Sequence, residues 1–294
     1  MHEPVLLKET FDYLDLKAGG VALDATLGGG GHSREMLKRI LPGGRLIGID
    51  ADQTAIDTAS SNLKDFEGSF KFVNGNFRDL DSLIADDAAG GLDAALFDLG
   101  ISSYQMDDGS RGFSMRYDAP LDMRMDRTSA VTARDLVNRL KEDELADIIS
   151  RFGEERFARR IARRIAEERS KKTIETTIEL ASMIRRAVGS RYLKSRIDPA
   201  TRTFQALRIA VNDELTAIEE GIKKAINILK PGGRICVISF HSLEDRIAKN
   251  IFRDLGREGI VRVLTKKPIR PGTDEVRCNA RSRSAKMRAA ERIR

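Results

Sequence analysis

Asp24-Ala25-Thr26-Leu27-Gly28-Gly29-Gly30-Gly31-His32 follows the apolar run Val21-Ala22-Leu23 and precedes a segment, 32–40, whose Met36, Leu37 and Ile40 recur at helical spacing. A strand ending in an acid, then a glycine turn, then a helix is the opening of a βα unit built for close approach of a ligand. Glycine accepts positive φ there and carries no side chain to hold the ligand off the backbone. The pattern repeats outward. Pro42-Gly43-Gly44 stops the helix, Arg45-Leu46-Ile47-Gly48-Ile49 ends at Asp50, and 54–63 is helical again. Phe70-Lys71-Phe72-Val73 is a third strand, and Ala94-Ala95-Leu96-Phe97 ends at Asp98 as a fourth. Short apolar strands alternating with helices predict an α/β fold with a parallel, Rossmann-like sheet.

After about residue 103 the rhythm stops. A polar stretch rich in methionine and arginine, 107–127, leads into helical patterns near 132–140, 142–149, 154–168 and 176–188. Beyond Asp198-Pro199 a helix carrying Phe204, Leu207, Ile209 and Val211 runs with interruptions toward Leu229. Arg234-Ile235-Cys236-Val237-Ile238 is then a fifth strand, and 260–264 and the last dozen residues supply two more. The economical organisation is one α/β domain, 1–103 with 205–294, interrupted by an all-helical insertion, 104–204.

Two cofactor classes use such a glycine turn. The dinucleotide fingerprint wants glycine at its first, third and sixth positions; Gly28 and Gly30 fit, but the sixth position is Ser33. The methyltransferase pattern, an acid, three residues, Gly, any residue, Gly, is met in full by Asp24, Gly28 and Gly30. Asp50 ends the second strand, where a carboxylate accepts hydrogen bonds from ribose hydroxyls in either class. The acids Asp24, Asp50 and Asp98 suit a cationic sulfonium donor better than a pyrophosphate, so S-adenosylmethionine is the expected cofactor. Phe77, after the third strand, is placed either to stack on adenine or as ordinary core. His32, at the helix start, is either a cofactor contact or a cap.

Asp98-Leu99-Gly100-Ile101-Ser102-Ser103 stands at the strand edge where open α/β sheets carry their chemistry. An acceptor there can hold an exocyclic amine as its nitrogen attacks a sulfonium methyl, a reaction that needs positioning and electrostatics more than a covalent nucleophile. Ring-carbon methylation needs a thiolate; Cys236 lies in an apolar strand and Cys278 in the basic tail, which favours an amine or ring nitrogen as acceptor. His2, His32 and His241 show no metal-ligand spacing, and no metal is expected. His241, after the fifth strand, either shapes the acceptor pocket or is structural.

The chain has 294 residues, 41% hydrophobic and 33% charged, which fits a globular protein. It has no apolar window long enough to span a membrane, and its two cysteines exclude a disulfide framework. The N-terminus lacks the features of a signal or transit peptide, so a cytoplasmic setting is expected. Net charge is +6 but segregated: residues 1–103 carry 9 basic and 17 acidic side chains, 104–204 carry 22 and 17, and 246–294 carry 15 and 5. A polyanionic partner met by the middle and the tail is expected. In 154–165, Phe157, Ile161 and Ile165 mark a buried helical stripe, with Arg156, Arg159, Arg160, Arg163 and Arg164 on the other flanks. These arginines either pair with neighbouring glutamates or meet phosphates; with Arg185, Arg186, Arg191, Lys194 and Arg196 close behind, phosphate contact is expected, and Arg159 and Arg163 are assigned to the RNA. Arg124 and Arg202, near the ends of the insertion, are assigned to the target base.

The whole chain resembles the bacterial small-subunit ribosomal RNA cytosine-N4 methyltransferase family, known as MraW or methyltransferase H. The resemblance rests on His2-Glu3-Pro4-Val5-Leu6-Leu7, Gly30-Gly31-His32-Ser33, the Asp98–Ser103 motif, Arg111-Gly112-Phe113-Ser114, Pro120-Leu121-Asp122-Met123-Arg124-Met125, Gly153-Glu154-Glu155-Arg156, Thr201-Arg202-Thr203-Phe204-Gln205-Ala206 and Ser239-Phe240-His241-Ser242-Leu243-Glu244-Asp245-Arg246. It implies a class I methyltransferase with a helical substrate-recognition insertion. It implies S-adenosylmethionine contacts from Gly30, Gly31, His32, Asp50, Phe77, Asp98 and Gln105. It further implies methylation of the N4 amine of one cytidine in the decoding region of 16S rRNA, in the cytoplasm. Amine methyltransferases acting on DNA carry Pro-Pro-aromatic after the acid, whereas this family has Leu-Gly-Ile-Ser; Asp98 acts on the amine or on the cofactor alone. Segment 265–280 is short beside some members, which leaves the tail's contact with RNA open. The rival readings are a nicotinamide-dependent dehydrogenase and an RNA-binding assembly factor without catalysis.

Overall fold

Seven strands form one sheet in the order β3-β2-β1-β4-β5-β7-β6. They are β1 (Val21–Asp24), β2 (Arg45–Asp50), β3 (Phe70–Asn74), β4 (Leu92–Asp98), β5 (Leu229–Ser239), β6 (Val261–Val263) and β7 (Lys286–Arg292). This computed structural model describes residues 4–102, 106, 108–189 and 198–294. The pairings from β3 through β5 are parallel, and β7 lies antiparallel between β5 and β6. Two compact units result: 1–102 with 215–294, and 103–214.

In the first unit, side chains alternate across the sheet with the strand period of two. Leu23, Ile47, Ala95, Phe97, Ile235 and Val237 face one layer, which includes Ile218, Ile222 and Ile226 of α10 (Glu214–Ile228) and Ile251 and Phe252 of α11 (Ser242–Arg257). Ala22, Leu46, Ala94, Leu96, Cys236 and Ile238 face the other, which includes Phe11 and Leu14 of α1 (Leu7–Leu14) and Met36, Leu37 and Ile40 of α2 (Gly31–Ile40). Burial on both faces is why these strands read as continuous apolar runs. The remaining helices of this unit are α3 (Gln53–Asn62), α4 (Leu80–Leu83) and α12 (Thr273–Cys278).

The second unit contains α5 (Ala133–Arg139), α6 (Glu142–Gly153), α7 (Ala158–Arg169), α8 (Thr177–Val188) and α9 (Ala200–Asn212). Here α6 packs on both α7 and α9, and α7 packs on α8. The division between units falls at 214/215 rather than 204/205, because α9 runs unbroken past residue 204. Asp213 takes a left-handed conformation and ends it, while Arg208 clamps Glu214 through two contacts of 2.8 and 2.9 Å.

The helix expected from residue 154 begins instead at Ala158. Glu154 is left-handed (φ 46°) and Gly153 lies so close to the Arg202 carbonyl that a Cβ would sit 2.6 Å from its oxygen. The buried Glu155 accepts from the Phe157 N–H at 2.9 Å. The inward stripe of α7 is therefore Ala158, Ile161, Ala162 and Ile165, and Phe157 stays half-buried outside the helix. α8 starts with a reciprocal cap between Thr176 and Glu179. Thr176→Ala should cost about 1 kcal/mol in urea unfolding; a loss below a few tenths would show that packing alone sets this helix start. No helix among the described residues is long and apolar enough to cross a membrane.

Candidate active site

Strand order reverses direction between β1 and β4, and ligands of open α/β sheets bind outside the strand ends at such a switch point. Asp24 closes β1 and Asp98 closes β4, with Asp24 registered against Leu96, so the second acid projects two residues further along the rim. The turn after β1 is laced to its neighbours: Ala25 N–H donates to Leu96 O, Leu27 N–H to Ile49 O, and Asp98 N–H to Thr26 Oγ1 at 2.6 Å. Gly28 (φ 50°) and Gly30 (φ 79°) take the left-handed conformations this turn requires, and Gly30 caps α2. A Cβ on Gly31 would stand 2.7 Å from Pro4, so this glycine is needed for packing.

The three acids serve differently. Asp24, 1% exposed, turns inward: its oxygens accept from Thr26 N–H at 3.2 Å and Ser33 Oγ at 2.7 Å. Burial raises its carboxyl to about 6 against those two hydrogen bonds. Asp50 accepts from Gly28 N–H and Asp52 N–H, both at 2.9 Å, so the carboxylate that could hold a ribose also fixes the glycine turn. Burial, helped by the charges of Asp52 and Asp24, raises it to about 6.

Asp98 is pushed furthest, to about 8, by burial and then by the charges of Asp24 and Glu244. Its Oδ1 is buried without a hydrogen-bond partner, and its Oδ2 lies 3.5 Å from Nδ1 of His32. His32 neither caps α2 nor points outward. Its Nε2 faces the Val5 carbonyl at 3.1 Å, which can only accept, so the proton sits on Nε2 and Nδ1 presents a lone pair to Asp98. Burial pulls the imidazole down to about 4, keeping it neutral. A protonated Asp98 can donate toward that lone pair, whereas an ionised Asp98 faces a lone pair and needs a cation nearby. An unpartnered buried oxygen among three carboxylates fits a sulfonium donor and opposes a pyrophosphate.

Phe77 meets Phe97 edge-on, with centroids 5.5 Å apart, and stands where a Cβ on Gly221 would touch its ring at 2.7 Å. It is half-buried, packed against core on one side. Gln105 lies outside the described residues. His241 caps α11, its Nδ1 accepting from Glu244 N–H at 3.4 Å, and the carboxylate of the fully buried Glu244 accepts in turn from the His241 and Phe240 N–H groups. Its position is that of a cap, and Glu244 contributes negative potential at Asp98. Val5, Thr26 and Glu244 contribute without a spacing signal in the sequence: Glu244 stands within a motif, whereas Val5 and Thr26 act through backbone and hydroxyl contacts; Ser33, which breaks the dinucleotide fingerprint, is the group that holds Asp24.

In the helical unit, Arg124 is a brace rather than a free cation. Its guanidinium grips Asp122 at 2.8 and 2.9 Å and donates to the Arg127 and Ser129 carbonyls. Arg202 donates to the Glu154 carbonyl at 3.0 Å, steadying the corner between α6 and α7. On α7, Arg159 and Arg160 are exposed and have no ion-pair partner among the described residues, while Arg163 reaches Glu142 only at 3.8 Å.

A sheet of this order, with its lone antiparallel strand beside the edge and acids ringing a glycine turn, defines a class I S-adenosylmethionine-dependent methyltransferase. The chain belongs to the MraW methylase family, whose model matches residues 1–293. Proteins called ribosomal RNA small subunit methyltransferase H are similar to it. That of Persephonella marina is 50% identical over 99% of this chain and 99% of its own length. Those of Halothermothrix orenii and Carboxydothermus hydrogenoformans are 45% and 47% identical, each over 99% of this chain and 98% of their own.

Proposed function

We propose that this chain transfers a methyl group to the exocyclic N4 of a cytidine in the decoding region of 16S rRNA, in the cytoplasm. The observation that carries the reading is Asp98, a carboxyl at the switch point with one buried oxygen unpartnered and a neutral His32 behind it. Its relatives' names supply the RNA, and the free Arg159 and Arg160 on α7 supply phosphate contacts.

S-adenosylmethionine supplies an electrophilic methyl on a cationic sulfur. Asp50 would hold the ribose hydroxyls, Gly28, Gly30 and Gly31 would let the donor approach the backbone, and the exposed part of Phe77 would meet the adenine. Asp98, ionised beside the sulfonium, would accept a hydrogen bond from the N4 amine and orient its lone pair along the line of attack. In the transfer the amine nitrogen would bond to the methyl carbon as that carbon's bond to sulfur breaks, and the proton the nitrogen gives up would pass to the ionised Asp98 carboxylate. Cys236 is buried and its thiol is pushed up by desolvation, which argues against a thiolate-based attack on a ring carbon.

Incubating the protein with small ribosomal subunits lacking the modification and deuterium-labelled donor, then digesting the rRNA for mass spectrometry, should give labelled N4-methylcytidine from one decoding-region fragment. Label on a ring carbon, on a sugar or on no nucleoside would overturn the proposal.

A further inference from the structure

We propose that the groove between α11 and the β6–β7 edge is a second RNA site, holding an unstacked, single-stranded segment of the substrate away from the strand-end rim. The inference rests on the reading of the substrate as RNA. The groove is open to solvent and has a volume of about 660 Å³. Its floor is the buried pair Phe252 and Val261, and its walls include Val263 and Ile293. Among the described residues of the α/β unit, these two are the large hydrophobic side chains left exposed, at 36% and 51%, and both line this one groove.

Cations frame that apolar floor. Lys249, Arg253 and Arg257 recur every four residues along one row of α11, while Arg262, Lys266 and Arg288 approach from the strand side. Some of this charge is spent: Arg288 is buried on Asp245 at 2.6 Å, Arg253 meets Asp254 at 2.9 Å and Arg262 meets Glu291 at 2.6 Å. Lys249 and Lys266 are exposed and have no ion-pair partner among the described residues. Residues 246–294 as a whole carry 15 basic side chains against 5 acidic ones.

An apolar surface inside a ring of ammonium and guanidinium groups matches a nucleobase with its flanking phosphates. The exposed Val263 and Ile293 side chains and the arginine planes offer a face for a base to lie against, and the lysines meet the backbone without reading sequence. A duplex keeps its base faces stacked inside and could use only the rim. α11 starts at the end of β5, on the same rim as Asp98, and runs back along the sheet; at 1.5 Å per residue Lys249 lies roughly 10 Å and Arg257 roughly 22 Å from its start. RNA seated here would flank the target nucleotide rather than contain it.

The test uses the full-length chain carrying Lys249→Glu and Lys266→Glu, two exposed, unpaired positions. Steady-state transfer to small ribosomal subunits should show KM raised at least tenfold, with kcat and donor affinity within twofold of wild type. Filter binding of a single-stranded RNA oligonucleotide across a salt series should lose at least about 1.4 from its log–log slope, the worth of two phosphate contacts on a single strand. The wild type should bind a duplex of equal length more weakly than the single strand, because the duplex cannot place a base in the groove. Unchanged KM and slope beside an active wild type would overturn the groove as an RNA site. A changed sedimentation coefficient with RNA binding intact would overturn it in favour of self-association. A wild type that methylates no small-subunit RNA contradicts the proposed function instead, and the oligonucleotide measurement still judges the groove.

Discussion

Asp98→Asn is expected to lower methyl-transfer turnover by about 10²–10³-fold while leaving the protein folded, the size of effect seen when one preorganised electrostatic or proton-accepting group is removed. Asparagine keeps the shape and an acceptor oxygen, but it carries no charge to face a cationic donor and cannot take the amine's proton. The pH profile separates this from a mere loss of packing. In the free protein Asp98 holds its proton to about 8, because burial and the charges of Asp24 and Glu244 oppose ionisation. Since the ionised form is the active one, wild-type kcat/KM for the donor should climb with pH and level off near that value. The kcat profile should level off at lower pH, because the bound cation favours the carboxylate. The step set by Asp98 should vanish from both profiles in Asp98→Asn, leaving only the rise that Asp24 and Asp50, raised to about 6, contribute. A variant with wild-type turnover, or one that keeps the wild-type pH dependence, would remove Asp98 from the chemistry.

The second large effect falls on the donor's affinity. Asp50→Ala should raise the S-adenosylmethionine Kd on the order of 100-fold in calorimetry, the equivalent of about 3 kcal/mol, since two charge-assisted hydrogen bonds to ribose are lost together. The same carboxylate also receives the Gly28 and Asp52 N–H groups at 2.9 Å, so its removal loosens the turn as well as the ribose contact. Asp50→Asn retains an acceptor oxygen for one of those groups and should fall between the two. An affinity unchanged in the alanine variant would mean that the donor's ribose lies elsewhere.

Much of this is legible in the sequence, and the reasons are local. Strands buried on both faces show as the uninterrupted runs Leu46-Ile47 and Ala94 to Phe97, and each ends at an acid on the same rim. The glycine turn declares itself because glycine takes the left-handed φ values at positions 28 and 30 without the strain a side chain would add. What periodicity could not supply was partnership. Asp24 and Asp50 have equal standing in the sequence, yet Asp24 spends its oxygens on Thr26 and Ser33, whereas Asp50 sits between the turn and Asp52. Arg124 reads as a free cation and proves to be enclosed by its own loop. The helix start at Ala158 was hidden because Glu154 to Phe157 continues an amphipathic pattern across a corner, and that corner is set by Gly153 against a distant carbonyl. Helix α1 has no strong sequence signal; its flanking Leu6 and Asp15 are both left-handed.

The most direct measurement is a crystal structure of the protein with S-adenosylmethionine bound. The donor should lie across the carboxyl ends of β1, β2 and β4, with both ribose hydroxyls on Asp50 and its sulfonium on the side of Asp98. A donor seated elsewhere, or one whose ribose leaves Asp50 untouched while Asp98 stays turned to His32, would contradict a carboxylate-lined sulfonium pocket as the seat of catalysis.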